Sequence, residues 1–304
     1  ILAGLFSFGC ASAIMPLILS AGNLSAGQEG EVITFAPYID LKIAPLCDIL
    51  TALCLSFMCG ICCIYIKGNA LKRGFDEFGE VVKMTIEKAI IPFMPLYIFT
   101  MMCEMSASGK MSVVMGSGVK IIATGIILSI LYLVIQYLIA GAVAGKNPFK
   151  CLWNMLPAYV TGFSICSSSA VIPVTQRCTL KNGVSEEVTN FVVPLCSNVH
   201  MCGSVIKLTT TSVAVAYMMG TPIVPGVFLN FLLVLGVATV ASPGVMSGVL
   251  MASLGFMETI LGFSPEMIAL VMTIYMALDG YGPACNVTGD GAIALGVDRF
   301  FRTR

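Results

Sequence analysis

The fold is decided by two stretches of small polar residues: SICSSSAVIP at residues 164–173 and VASPGVMSG at residues 240–248. Each interrupts an apolar segment, residues 156–174 and 227–261 respectively. Helix breaks at membrane depth are tolerated only where protein or a water-filled cavity satisfies the freed backbone groups. Paired interrupted segments of this kind indicate the binding site of a transporter. We therefore predict that each segment turns back on itself as a re-entrant helical hairpin.

The composition is that of an integral membrane protein. Of the 304 residues, 58% are apolar and 11% are charged, whereas soluble domains are about a quarter charged. The net charge of zero leaves little for a polyanion to bind, which excludes nucleic acid as a partner. The 13 cysteines lie mostly in apolar runs, where free cysteine packs as a small hydrophobe. We expect a multi-pass protein of the cell membrane, embedded in the lipid bilayer, with no resident cofactor.

Apolar stretches of about 20 residues, the length that a helix needs to cross a bilayer, predict further spans. These stretches cover residues 1–21, 43–66, 89–105 and 119–144. Residues 67–88 are rich in charge and predict an amphipathic helix at a membrane surface.

The predicted domain organisation has three parts. Residues 1–42 are the remnant of an early span with a loop, residues 43–145 hold scaffold-type spans, and residues 146–304 form a transport core. The chain opens with Ile1 inside an apolar run, so we expect that earlier spans are missing from it.

Polar and ionisable side chains inside membrane segments are costly and are therefore candidates for function. Asp279, Asn286 and Asp290 are spaced seven and four apart, which predicts one face of a single helix. His200 and Lys207, with Ser204 between them, repeat this pattern on another segment. The two stripes and the two hairpins would enclose one polar cavity. Alternatively, each stripe is a seam of interhelical hydrogen bonds or ion pairs.

Three motifs resemble those of one transporter family. They are SSSAVIPVTQRC at residues 167–178, NGVSEEVTNFVVPL at residues 182–195 and NVTGDGA at residues 286–292. In this order they resemble the first hairpin, the entry to the seventh span and the eighth-span motif of the dicarboxylate/amino acid:cation symporters, the glutamate transporter family. The resemblance implies an all-α multi-span bundle with two re-entrant hairpins. It also implies a homotrimer with an elevator-type mechanism.

The resemblance further implies roles for individual residues. Asp279 matches the aspartate that binds the amino group of a substrate, and the serines from Ser167 to Ser169 match the hairpin tip that holds its α-carboxylate. Asn286 and Asp290 match residues that coordinate Na⁺. The expected substrate-binding residues are Ser167, Ser168, Ser169, Ser204, Lys207, Pro243, Gly244, Asp279, Gly282, Pro283 and Asn286. The expected cation-binding residues are Cys196, His200, Asn286 and Asp290.

The chain departs from the family pattern at the seventh span. The family sequence Asn-Met-Asp-Gly-Thr is replaced by HMCGS at residues 200–204. The imidazole of His200 thus stands in place of an amide, and the thiol of Cys202 in place of a carboxylate. Histidine titrates near pH 6.5 when unperturbed. One hypothesis is that protonation of His200 replaces one coupled Na⁺, and the coupling cation is then Na⁺, H⁺ or both. The alternative is that His200 is structural.

A second departure concerns the substrate. Gly282 stands where transporters of acidic amino acids carry an arginine, and Lys207 stands where the family commonly has a tyrosine. If Lys207 faces the pocket, it predicts a dicarboxylic substrate. If it neutralises Asp279, it predicts a neutral or small one.

The function expected from these features is secondary active symport of a small amino acid or dicarboxylate. A non-transporting or channel-like relative is a second possibility because the cation ligands of the family are altered. A third possibility is an intramembrane serine hydrolase that uses residues 167–169 with His200. The chain lacks a Gly-x-Ser-x-Gly frame around these serines, which argues against an enzyme.

Overall fold

The computed structural model describes residues 1–19, 49–66, 68–85, 111–242 and 247–302, with isolated positions between 88 and 106. The span predicted at residues 89–105 lies, apart from isolated positions, outside the described residues, as do Pro243 and Gly244.

The described residues form helices and contain no strand, which confirms the all-α class. The helices are α1 Leu2–Ile18, α2 Ile49–Tyr65, α3 Ala70–Thr85, α4 Met111–Ala144, α5 Pro148–Asn154, α6 Leu156–Ile165, α7 Ile172–Lys181, α8 Glu186–Val199, α9 Cys202–Met218, α10 Pro225–Ala241, α11 Gly248–Thr259, α12 Pro265–Ala277 and α13 Tyr281–Arg302. A short 3₁₀ turn, Ser169–Val171, precedes α7.

Two stretches of the described chain are long and apolar enough to cross a membrane, Gly116–Ala144 and Glu186–Met218. The first agrees with the span predicted at residues 119–144. Helices α12 and α13 pass the same test together, but they meet at an angle of 65°. They are therefore a candidate for one broken span.

The first hairpin is built from α6 and α7, which pack against each other. Each has ten residues and is about 15 Å long, half the thickness of the hydrocarbon core. The chain leaves α6 at Cys166, whose φ of 57° lies in the left-handed region. Proline occupies the first turn of each arm, where a missing N–H costs no intrahelical hydrogen bond. The turn predicted within residues 156–174 thus separates two short packed helices, the second of which continues beyond the predicted segment to Lys181.

The second hairpin is built from α10 and α11, which also pack against each other. It covers the segment predicted at residues 227–261. Ser247, immediately before α11, has a φ of 56°.

The described chain divides into two compact units, residues 1–26 with 112–304 and residues 27–111. In the second unit, α3 is amphipathic, as predicted for residues 67–88, and it is exposed at each position whose side chain is described. In the first unit, α1 and most of α4 belong with the hairpins and the helices that follow. The predicted boundaries at residues 42 and 145 separate scaffold from transport core by their role in movement. They therefore stay a prediction.

Helices α9 and α13 form the centre of the first unit. Helix α9 is buried over nearly its whole length and packs against α1, α12 and α13, and α13 also packs against α6, α7 and α8. Gly203 allows α9 to lie very close to α13, because a Cβ atom there would collide with the carbonyl oxygen of Gly282 and with Cβ of Cys285.

Candidate substrate and cation site

Two breaks in the helices lie side by side in the first unit. One separates α8 from α9 at His200 and Met201, and the other separates α12 from α13 at residues 278–280. Asn286, on α13, contacts the start of α9, because its Oδ1 accepts hydrogen bonds from the backbone N–H groups of Gly203 at 2.7 Å and Ser204 at 3.4 Å. Helix α9 has no side-chain cap of its own. Asn286 therefore caps α9 from a neighbouring helix.

The prediction that Asp279, Asn286 and Asp290 share one helix face is wrong for Asp279. Asp279 lies in the break before α13, so only Asn286 and Asp290 are on that helix. Gly280 lies in that break, and Pro283, in the first turn of α13, lacks the N–H that would bond the carbonyl of Asp279 in a longer helix. His200 likewise precedes α9, which carries Ser204 and Lys207.

A small polar cavity lies between the two breaks and the two hairpins. Its volume is about 10 Å³, room for about one water molecule. The polar side chains that line it are Ser168, Ser204, Ser247, Tyr275, Asp279 and Asn286. Pro283 and apolar groups complete the lining. The predicted residue Gly282 lies against Ser204, just behind this wall, because a Cβ at Gly282 would be 3.4 Å from Ser204 Oγ.

The three consecutive serines do not act together at the cavity. Ser168 is buried and lines it. The Oγ of Ser169 instead donates to Oδ1 of Asn198 at 3.3 Å, and the Oγ of Ser167 lies 3.5 Å from the backbone N of Ala170. In this conformation one of the three hydroxyls is placed to meet a ligand.

Lys207 forms an ion pair with Asp279. The Nζ of Lys207 donates to Oδ1 of Asp279 at 2.6 Å, and the side chain of Lys207 has no exposed surface. The same ammonium lies 3.7 Å from the ring centroid of Tyr275 and 5.2 Å from that of Tyr281. Ser247 Oγ donates to the other carboxylate oxygen, Oδ2, at 3.1 Å. Of the two alternatives for Lys207, the structure contains the internal pair.

His200 forms a second buried pair, with Asp290. The ring Nδ1 lies 2.9 Å from Oδ1 of Asp290, while Nε2 lies 3.3 Å from Nε2 of Gln136 on α4. The imidazole is 17% exposed and the Asp290 side chain 1%. Among the described residues, Oδ2 of Asp290 has no hydrogen-bond partner. This oxygen is available to a cation, and the imidazole stands beside the carboxylate as a charge partner when protonated.

The remaining predicted cation ligands are engaged elsewhere. Oδ1 of Asn286 already accepts the two amides of α9. Cys196 is buried in an apolar cluster with Val192 and Val287, and its carbonyl accepts the N–H of His200 at 2.7 Å. Within the described part of the chain, no group of three or more His, Cys, Asp or Glu residues could hold a metal ion.

Four functional candidates were missed from the sequence. Gln136 contacts His200, Ser247 contacts Asp279, and Tyr275 and Tyr281 enclose the ammonium of Lys207. An amide in the apolar helix α4 is a signal that could have identified Gln136. Ser247 lies in the VASPGVMSG stretch itself. The two tyrosines carry no signal of this kind, since buried aromatic residues are common in membrane helices.

Curated proteins similar to this chain include amino acid transporters. Neutral amino acid transporter A of Bos taurus is 26% identical over 242 residues, which cover 76% of this chain and 44% of that protein. Excitatory amino acid transporter 3 of Mus musculus is 27% identical over 233 residues, with 74% and 43% covered. Excitatory amino acid transporter 2 of Homo sapiens is 30% identical over 171 residues, with 56% and 28% covered.

The matched regions span less than half the length of these relatives. Residues 1–300 match the sodium:dicarboxylate symporter family, and the chain therefore belongs to that family.

Proposed function

We propose that the chain provides the substrate and cation site of a secondary active symporter in the cell membrane. The substrate is a small amino acid or a dicarboxylate, and it enters the cell together with Na⁺, H⁺ or both. One observation carries the proposal: two broken helices and two hairpins contribute to the lining of one small polar cavity inside an apolar bundle. Broken helices that meet around a polar site are typical of secondary transporters. Family membership and the named relatives support the same function.

The elevator-type mechanism and the homotrimer are part of this proposal and rest on the family resemblance. In this mechanism residues 146–304 move as a transport core past scaffold-type spans in residues 43–145.

The function is tested by uptake into proteoliposomes of the reconstituted protein. The panel contains labelled acidic, neutral and hydroxy amino acids and C4-dicarboxylates, each supplied with an inward H⁺ gradient, an inward Na⁺ gradient, or neither. Concentrative uptake that requires a cation gradient is the expected result. Flux that only dissipates the substrate gradient would instead favour the channel-like relative, and no flux of any substrate would favour the non-transporting one.

The coupling cation is a finer part of the proposal. His200 lies against Asp290, and in its protonated form it places one positive charge beside a buried carboxylate. A Na⁺ ion bound at Oδ2 of Asp290 would place the same charge at the same carboxylate. We propose that a proton on His200 takes the place of one coupled Na⁺. The thiol of Cys202 and the amide of Gln136 also lie beside the ring.

Replacing His200 with glutamine should therefore reduce uptake driven by a proton gradient about tenfold or more, because the amide keeps hydrogen-bonding capacity but cannot carry a proton. The measurement is the initial uptake rate under an inward proton gradient without Na⁺. Asn190→Gln, on the exposed side of α8, is the matched control and should leave the rate unchanged. Undiminished proton-driven uptake in His200→Gln would show that His200 is structural, and strict Na⁺ dependence of the unaltered protein would show the same.

The hydrolase alternative loses its support. In a hydrolytic triad, the hydroxyl of the nucleophilic serine is hydrogen-bonded to a ring nitrogen of the histidine that acts as the base. The two ring nitrogens of His200 face Asp290 and Gln136 instead, and the family is one of symporters rather than enzymes.

A further inference from the structure

The strongest feature that symport itself does not explain is the buried ammonium of Lys207. Lysine is rarely found fully buried, and a buried charge requires a partner. Here the partner is Asp279, at 2.6 Å, and two tyrosine rings stand at distances suited to cation–π contact. The ammonium is thus enclosed by an anion and two aromatic faces. This is the environment that a binding site would offer to the ammonium of a ligand.

Lys207 and the cavity share Asp279. Asp279 is the one carboxylate among the described residues that line the cavity, whereas Lys207 lies behind that lining. Both oxygens of Asp279 are engaged, Oδ1 by Lys207 and Oδ2 by Ser247. The cavity has room for about one water molecule, so a larger ligand requires the surrounding elements to separate. An amino acid bound there would bring its ammonium to a carboxylate that is already neutralised. Burying that second ammonium without a free anion is unfavourable.

The charges in the loaded site lead to the same conclusion. A free aspartate with a zwitterionic amino acid carries one net negative charge. The Lys207–Asp279 pair with a monocarboxylate carries the same net charge. The protein thus supplies the ammonium that an amino acid would otherwise bring, and the ligand needs only the carboxylate. The hydroxyls of Ser168 and Ser204 beside the cavity are able to donate to such an anion, whereas that of Ser247 already donates to Asp279.

We propose that Lys207 acts as an internal ammonium group that occupies Asp279, so that the site selects carboxylates without an amino group, such as 2-hydroxy acids and unsubstituted dicarboxylates, over the matching amino acids. This inference rests on the proposed function and specifies the substrate class of the same site. It keeps the small size predicted from the sequence for an internal Lys207–Asp279 pair, but it replaces the neutral substrate with an anion. Lys207 is then a specificity-determining residue.

The test compares ligands that differ at the amino group. The pairs are L-lactate with L-alanine and succinate with L-aspartate. For each ligand, binding is measured as the shift in thermal unfolding of the purified protein in detergent, and transport as competition for uptake into proteoliposomes. We expect the ligand without the amino group to bind at least tenfold more tightly in at least one pair. Equal or tighter binding of the amino acid in both pairs would overturn the inference while leaving symport intact.

The two measurements also separate this inference from the proposed function. Binding of L-lactate or succinate without any uptake would contradict symport and still support the role of Lys207. No thermal shift with any of the four ligands would overturn the role of Lys207, whatever the uptake assay gives with other substrates.

Replacing Lys207 with methionine should reverse the preference, because Asp279 is then free to pair with the ammonium of a ligand. We expect L-alanine or L-aspartate to gain at least tenfold in affinity and to raise the unfolding temperature of the variant. Lys150→Met, at an exposed lysine on α5, is the matched control and should keep the original preference. If Lys207→Met cannot be purified, Lys207→Ala with added methylammonium replaces it, and recovery of lactate binding by methylammonium is then the expected result. A preference that is unchanged in Lys207→Met, or not restored by methylammonium in Lys207→Ala, would contradict the proposal.

Discussion

Replacing Gly203 with alanine is expected to lower the free energy of unfolding by about 3 kcal/mol and to abolish uptake, because α9 could no longer reach α13. The added Cβ would collide with the carbonyl oxygen of Gly282 and with Cβ of Cys285, and it would lie 3.2 Å from the sulfur of Cys285. A backbone carbonyl cannot rotate away as a side chain can, so the helices would have to separate. Their separation would break the hydrogen bond from Gly203 N to Asn286 Oδ1.

The measurement is denaturant unfolding of the purified variant in detergent, together with uptake of whichever substrate the unaltered protein transports. Gly296→Ala is the matched control, since it makes the same change on α13 at a glycine with open space around it. That control should be neutral or slightly stabilising, because alanine favours helix more than glycine does. A Gly203→Ala variant as stable and as active as Gly296→Ala would mean that the two helices do not pack as described.

Replacing Asn286 with leucine is the second change with a large expected effect. Asn286 is buried, and its Oδ1 serves two backbone N–H groups at the start of α9, while its Nδ2 donates to Ser204 Oγ at 3.0 Å. Leucine would leave both N–H groups buried without an acceptor. Each unsatisfied group costs about 1–3 kcal/mol, so the free energy of unfolding should fall by about 2 to 6 kcal/mol.

The same unfolding measurement tests this prediction, and Asn190→Leu is the comparison. It makes the same substitution at an exposed position on α8, and it should change stability by no more than about 0.5 kcal/mol. Loss of uptake with unchanged stability in Asn286→Leu would contradict the capping role and indicate instead that Asn286 binds the coupled cation directly.

The charged groups of the candidate site form two separate buried pairs. Lys207 with Asp279 lies at the polar cavity, and His200 with Asp290 lies at the break between α8 and α9. Asn286 stands on α13 between Asp279 and Asp290 in sequence, and it holds the start of α9. We expect changes at Lys207 to alter which substrate binds and changes at His200 to alter which cation drives uptake.

Local sequence was a good guide to the hairpins and a poor guide to Asp279. At residues 164–173 the cluster of serines and a proline marks a turn through the backbone preferences of those residues alone. The stripe of Asp279, Asn286 and Asp290 required an unbroken helix, but the chain breaks at residues 278–280 and α13 begins only at Tyr281. Periodicity is informative only within one continuous helix.

Contacts between segments that are distant along the chain could not be predicted from the sequence. Gln136 and His200 are 64 positions apart, and Lys207 and Asp279 are 72 apart. Lys207 was compatible both with a role facing the pocket and with a role inside the protein. The choice depends on how α9 lies against the break before α13, which in turn depends on the close contact at Gly203.

The sequence by itself determined that this is an all-α membrane protein with two interrupted segments, and its motifs pointed to the symporter family. Composition and backbone preference suffice for this, because each reports on the surroundings or conformation of a segment taken alone. Only the tertiary structure decided which buried charges neutralise each other and which polar groups are left to line the cavity. Those outcomes depend on distances of a few ångströms between helices far apart in sequence, and packing sets such distances.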